Sequence, residues 1–155
     1  MTLLIDRVSS PTDAARRLVG ELEAVLSAEY PPEQRHGLPI EAIFRSHIHF
    51  FVATLDGAPV GCGGVALLNG FAEVKRMFVQ PAARGRGVAQ ALIAGLTTVA
   101  RQHGVSVLRL ETGTVQHAAL RFYEREGFIR CEAFGDYAAM PPAAIVTSVF
   151  MEKVI

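Results

Sequence analysis

Two dipeptides typical of tight turns, Asp56-Gly57 and Asn69-Gly70, separate three strand-like runs, Ile48–Thr54, Val60–Leu68 and Ala72–Val79. Two-residue turns between strands need positive φ angles, which Asn, Asp and Gly tolerate, so this spacing predicts a three-stranded antiparallel meander. Pro59 falls at a strand start, where a missing N–H is tolerable. Ahead of the meander, residues 3–8 alternate weakly and read as a first strand. Behind Ser9-Ser10-Pro11-Thr12-Asp13, apolar side chains recur at Ala15, Leu18, Val19, Leu22, Val25 and Leu26. That is the spacing of one helix face, and Pro31-Pro32 stops it. A shorter helix is expected from Pro39 to about Arg45.

After Val79 the rhythm changes. A Gly/Arg-rich loop at 81–87 leads into a helix with Val88, Leu92, Ile93, Leu96, Val99 and Ala100 on one face. Gly104 ends it, and Val105–Leu110 reads as a buried strand. Another helix runs from about Gln116 to Glu126, with Gly127 at the C-cap, and strands around Phe128–Glu132 and Thr147–Lys153 close the chain. This order predicts an α/β domain with a mixed, mostly antiparallel central sheet and flanking helices. The 155 residues suit one domain, and half of them are apolar, enough for a sizeable core. Fifteen basic residues balance fifteen acidic ones, which argues against a global attraction to nucleic acid or an anionic membrane. No apolar run approaches the roughly 18 residues of a membrane span. The start, Met1–Arg7, lacks the pattern of a signal peptide, so a cytoplasmic location is expected. Two cysteines, Cys62 and Cys131, make neither a disulfide framework nor a zinc site on their own.

The loop Val79-Gln80-Pro81-Ala82-Ala83-Arg84-Gly85-Arg86-Gly87-Val88-Ala89 carries the strongest chemical signal. Closely spaced glycines let a backbone approach a ligand, and the first helical turn offers free N–H groups and a positive dipole end to an anion. Arg84 and Arg86 add formal charge suited to phosphate oxygens. A pyrophosphate cradle follows. It is not a P-loop, for no Gly-Lys-Ser/Thr string exists, and it lacks the third small residue and the βαβ setting of a dinucleotide fingerprint.

Arg84-x-x-Gly87-x-Ala89 after a strand resembles the acetyl-coenzyme A loop of the GNAT N-acetyltransferase superfamily. Gln116-His117-Ala118-Ala119-Leu120-Arg121-Phe122-Tyr123-Glu124-Arg125-Glu126-Gly127-Phe128 is similar to that family's second signature, in which an Asn stands where Gln116 is. The resemblance covers roughly residues 48–154 and is strongest for a bacterial branch of small GNAT proteins, many with poorly defined substrates. It implies a splayed strand pair in the sheet. The backbone of Met77, Phe78 and Val79 would pair with the pantetheine arm of acetyl-coenzyme A. Backbone N–H groups from Arg84, Gly85, Arg86, Gly87, Val88 and Ala89 would hold its pyrophosphate. Tyr123 matches the tyrosine that protonates the departing thiolate, and Gln116 a coenzyme-facing amide.

The resemblance further implies acetyl transfer to an amine, which attacks only when neutral and therefore needs a base. Glu73 is one candidate: it opens the strand ending at Val79, where side chains 73, 75, 77 and 79 are expected on one face. Glu111 is the other, or else an ion-pair partner of Arg109 or Lys75. Acceptor contacts are expected from Tyr30, Arg35, His47, His49, Phe134 and Tyr137. Arg35 would suit a substrate carboxylate, though a surface arginine is the plainer reading. His47 and His49 alternate on a strand but lack a third ligand, so no metal is expected. His36, His103 and His117 read as solvated or capping groups. Cys62 reads as a small buried residue rather than a nucleophile. The apolar stretch Ala138–Ile145 suggests a lid or a homodimer surface. The expected partner is a small-molecule amine. A non-catalytic acyl-coenzyme A sensor, a protein N-acetyltransferase and a different nucleotide-binding α/β protein stay open as alternatives.

Overall fold

The computed structural model describes all 155 residues. Its strands are β1 (Leu3–Val8), β2 (Ile48–Leu55), β3 (Ala58–Leu67), β4 (Ala72–Val79), β5 (Val107–Gly113), β6 (Ile129–Arg130) and β7 (Ser148–Val154). Its helices are α1 (Asp13–Glu29), α2 (Ile40–Ile43), α3 (Val88–Gln102) and α4 (His117–Arg125). The strands form one sheet in the order β1-β2-β3-β4-β5-β7-β6. The meander β2-β3-β4 is antiparallel as expected, and Asp56 (φ 51°) with Gly57 (φ 86°) forms its first tight turn. The single parallel contact is β4 with β5, and the sheet is otherwise antiparallel.

Helices cover both faces. Against one face, Ala15, Leu18 and Val19 of α1 pack with Ile43, Phe50, Val52, Cys62 and Phe78. Thr12 caps α1 by accepting from the Ala15 N–H, which meets one of the helix's unpaired donors. Against the other face, Ile93, Leu96, Val99 and Ala100 of α3 and Leu120 and Tyr123 of α4 pack with Val65, Val74, Leu108, Leu110 and Met151. An aromatic group of Phe71, Phe134, Tyr137 and Phe150 closes the β5–β7 end.

Two features of β4 shape the site. Its pairing with β5 stops after Ala72↔Leu108 and Glu73↔Arg109, so the two strands diverge beyond Glu73. Its backbone also breaks step at Arg76, whose φ is 52°, where the register with β3 shifts between Cys62 and Gly64. A bulge inserts one residue and reverses the inside–outside alternation. Val74 and Met77 therefore both pack on the α3 side, while Phe78 packs on the α1 side. The expectation that 73, 75, 77 and 79 share a face fails for this reason: Glu73 and Lys75 share one, and Met77 and Val79 take the other.

Candidate active site

At the foot of the splay, β4 runs into a 3-10 turn, Pro81–Ala83, then Arg84-Gly85-Arg86-Gly87 and the first residue of α3. Buried Ala83 and Val88 anchor this loop beside Leu92, and Arg84 and Arg86 remain exposed. The Arg84 Nε–H donates to the Val79 carbonyl at 3.2 Å, tying the loop back to the strand. Gly85 and Gly87 hold φ values of 78° and 79°, which a side chain would strain. Gly87 is the N-cap of α3, and no side chain caps that helix. The first N–H groups of α3 are thus open to an anion beside two arginines, a donor set that fits a pyrophosphate. Above it, the edge of Met77, Phe78 and Val79 that faces β5 has no strand partner, which fits an extended arm laid along it.

The splay opens into a cavity of about 140 Å³ that runs through the sheet. From β4 come Glu73, Lys75 and Met77; from β5, Glu111 and Thr112; from α4, Tyr123. Tyr30, Arg35 and His36 enter from the chain after α1, and Tyr137 from the turn before β7. Glu73 is 6% exposed, and one oxygen of its carboxylate takes two hydrogen bonds. Its Oε2 accepts from Lys75 Nζ at 3.0 Å and from the Tyr137 hydroxyl at 2.7 Å. Burial first, then the Glu73 charge, pushes the Tyr137 phenol well up, so it stays a donor.

Glu111 is differently placed. Its Oε2 accepts one hydrogen bond, from Ser148 Oγ at 2.7 Å. Burial raises its carboxyl above the usual glutamate range, against the opposing pull of that hydrogen bond. It does not form the expected ion pair. Lys75 bonds Glu73 at 3.0 Å, and Arg109 lies 3.7 Å from Glu152, its register partner across β7. Tyr123 lines the cavity between the rings of Phe122 and Phe128, at 5.3 and 5.6 Å, and burial raises its phenol above the ordinary value.

Several expected acceptor contacts lie elsewhere. His49 projects on the α3 face, where its ring meets His103 at 5.1 Å, because the alternation of β2 sends Phe50 and Val52 to the α1 side. His47 precedes β2 in an exposed turn, its carbonyl accepting from the Leu67 N–H. Phe134 is not a lining residue; it packs edge-on to Tyr137 at 5.3 Å and so fixes that ring. Gln116 lines the cavity, and its side-chain amide donates to Glu29 Oε2 at 2.6 Å. Tyr30 lines the cavity and its hydroxyl accepts from the Val115 N–H at 3.1 Å.

The cavity is also lined by His36, expected as a solvated or capping group, by Lys75, expected only as a possible partner of Glu111, and by Arg76, which the sequence did not single out. Lys75 was legible, since two strand residues apart from Glu73 means the same face. His36 was not: its ring donates to the Ala144 carbonyl at 2.7 Å and lies 5.7 Å from Tyr137, both over a hundred residues away. The Ala138–Ile145 stretch, expected as a lid or dimer surface, holds the end of one short 3-10 turn, Gly135–Ala139, and a second, Pro142–Ala144, whose Ala144 carbonyl accepts the His36 bond. Cys62 is wholly buried, and burial pushes its thiol up to about 12, so it is no nucleophile.

A strand edge freed by splaying, an uncapped helix start at its foot and an acid-bearing cavity in the gap define an enzyme that reacts an extended anionic coenzyme. Residues 16–128 match the family described as Acetyltransferase (GNAT) family, and the chain belongs to it. The chain is 40% identical over 151 residues to the IAA acetyltransferase of Azospirillum brasilense, covering 96% of this chain and 95% of that one. A Klebsiella pneumoniae protein assigned as an acyl-CoA N-acyltransferase shares 32% identity and superposes with a TM-score of 0.76 over 99% of this chain and 97% of its own. The PaiA N-acetyltransferase of Thermoplasma acidophilum, solved with coenzyme A, has the same fold at 17% identity and a TM-score of 0.72, each chain covered in full at 100%. The protein is an acyltransferase of the N-acetyltransferase type, in a family whose cosubstrate is acetyl-coenzyme A. No helix is long and apolar enough to cross a membrane.

Proposed function

We propose that this chain moves the acetyl group of acetyl-coenzyme A to a primary amine of a small molecule by direct attack in a ternary complex. The observation that carries this reading is the joint presence of Glu111 and Tyr123 in one cavity at the β4–β5 gap. Glu111, rather than Glu73, takes the proton from the attacking amine, directly or through water. A carboxylate raised by burial is the stronger base, whereas Glu73 is held by Lys75 and Tyr137. Tyr123 keeps its proton at neutral pH and gives it to the sulfur as the carbon–sulfur bond breaks. A backbone N–H near Val79 polarises the carbonyl oxygen, which carries negative charge while the new carbon–nitrogen bond forms. The buried, unreactive Cys62 supports direct attack over an acyl-enzyme.

The size of the cavity favours a small acceptor over a protein chain. Its far end is also closed by contacts of Tyr30 with Val115 and of His36 with Ala144. The test is thiol release from acetyl-coenzyme A against amino acids and polyamines, run beside Tyr123→Phe. Acceptor-dependent turnover that falls about 10–100-fold in the variant supports the reading, given the usual size of acid–base contributions. Tight coenzyme binding without turnover on any acceptor points instead to a sensor.

A further inference from the structure

The same cavity holds charges that acetyl transfer does not use. Arg76 sits at the β4 bulge with a side chain only 4% exposed, and its Nη2 donates to Glu23 Oε1 of α1. Arg35 approaches the other oxygen of that carboxylate at 3.6 Å and donates Nη1 to Ser27 Oγ at 2.8 Å. Two guanidiniums therefore share one carboxylate, whose side chain is 41% exposed. The Nε atoms of both arginines are buried without a partner. Arg35 Nη2 and Arg76 Nη1 donate to no protein acceptor either. Buried N–H groups of a charged side chain are costly to leave unpaired, and an anion is the natural complement. The chain also makes room here, since a Cβ on Gly37 would overlap the Arg76 guanidinium.

The cavity wall carries charges of both signs. Lys75 already answers Glu73, so the Arg35–Arg76–Glu23 group carries one positive charge in excess, and Glu111 lines the same cavity. No residue from 80 to 90 lines the cavity, which separates this arginine pair from the pyrophosphate loop.

Building on the acetyl-transfer reading above, we infer that the acceptor is a small amine bearing a carboxylate. Arg35 and Arg76 hold the carboxylate, and the amine is directed toward Glu111. The arrangement selects by length, because both ends of the acceptor are fixed.

Matched pairs of acceptors test this: glycine, β-alanine and γ-aminobutyrate, each against its carboxamide, with wild type, Arg35→Gln and Arg76→Gln. The expected result is a kcat/KM at least 10–100-fold higher for one free acid than for its amide, carried mainly by KM. In Arg35→Gln that ratio collapses toward one, while the KM for acetyl-coenzyme A stays within about twofold; Arg35→Lys restores part of it. Equal use of acids and amides by wild type overturns the inference. So does a variant that lowers both alike in step with a lower Tm, which would make the arginines a structural staple. Arg76→Gln is the variant more exposed to misfolding, and partly exposed Arg35 keeps the test independent of it. If no amine is turned over, the acetyl-transfer reading fails on its own, and the arginine site is then read by thermal shift with coenzyme A present. An N-acetyl amino acid that shifts wild type more than its amide, and loses that advantage in Arg35→Gln, sustains the site; no difference removes it.

Discussion

Glu73 and Glu111 show how one residue type meets two environments within a single cavity. Glu73 accepts hydrogen bonds from a lysine and a phenol, while Glu111 accepts only from a serine hydroxyl and is raised by burial. A base with a raised pKa is lost as pH falls through that value. The acid limb of kcat/KM should therefore lie above the ordinary glutamate range and disappear in Glu111→Gln, whose turnover at neutral pH should fall about 10²–10⁴-fold. The stability sign runs the other way. The folded chain binds this proton more tightly than the unfolded chain, so the stabilisation is full below the unfolded pKa and lost as pH rises through the folded one. Glu111→Gln should thus keep or raise Tm at pH 7–8 while losing activity; a large drop in Tm would sink this account. Tyr123→Phe removes a hydroxyl with no protein partner, so Tm should move little while turnover falls. Both residues were legible as candidates from their strand and helix positions. The choice between the two glutamates was not, because it depends on Lys75, Tyr137 and Ser148 arriving from three different strands and turns.

Among elements, the start of α3 and the bulge of β4 matter most. The glycines and arginines between them announce an anion site by composition, and the structure adds that no side chain occupies the helix end. Gly87→Ala places a Cβ where φ is 79°, which costs about 1–2 kcal/mol and disturbs the first open N–H groups. The KM for acetyl-coenzyme A should rise with little change in kcat, as steady-state kinetics would show; an unchanged KM would remove the loop from coenzyme binding. The bulge could not be read from the sequence. Period-two alternation predicts one face for 73, 75, 77 and 79, and a single residue at positive φ reverses it halfway. That reversal sends Arg76 toward α1 and leaves Met77 against α3.

At the scale of the whole molecule, the site is a gap bridged by distant contacts. Gln116 bonds Glu29, Thr147 bonds Gln34 and His36 bonds Ala144, so the end of α1 and the chain after it are stitched to the last third of the protein. A ligand laid along β4 would complete the edge that β5 leaves unpaired. Coenzyme A should therefore raise the unfolding free energy by about 2.7 kcal/mol at a hundred times its Kd. It should also slow amide exchange within residues 75–80. Protection confined to the α3 loop would mean that the coenzyme does not use the strand edge.

The sequence by itself determined the order of strands and helices, the meander with its tight turns, the Gly/Arg-rich strand-to-helix loop and the family resemblance. These are local properties, set by side-chain period, turn chemistry and short spacings along the chain. Tertiary structure decided which residues meet. It took His47, His49 and Phe134 away from the cavity, brought in His36 and Arg76, and engaged Glu73 while leaving Glu111 available. The physical reason is that face and partner depend on bulges, register and contacts between segments a hundred residues apart, none of which periodicity within a single element can report.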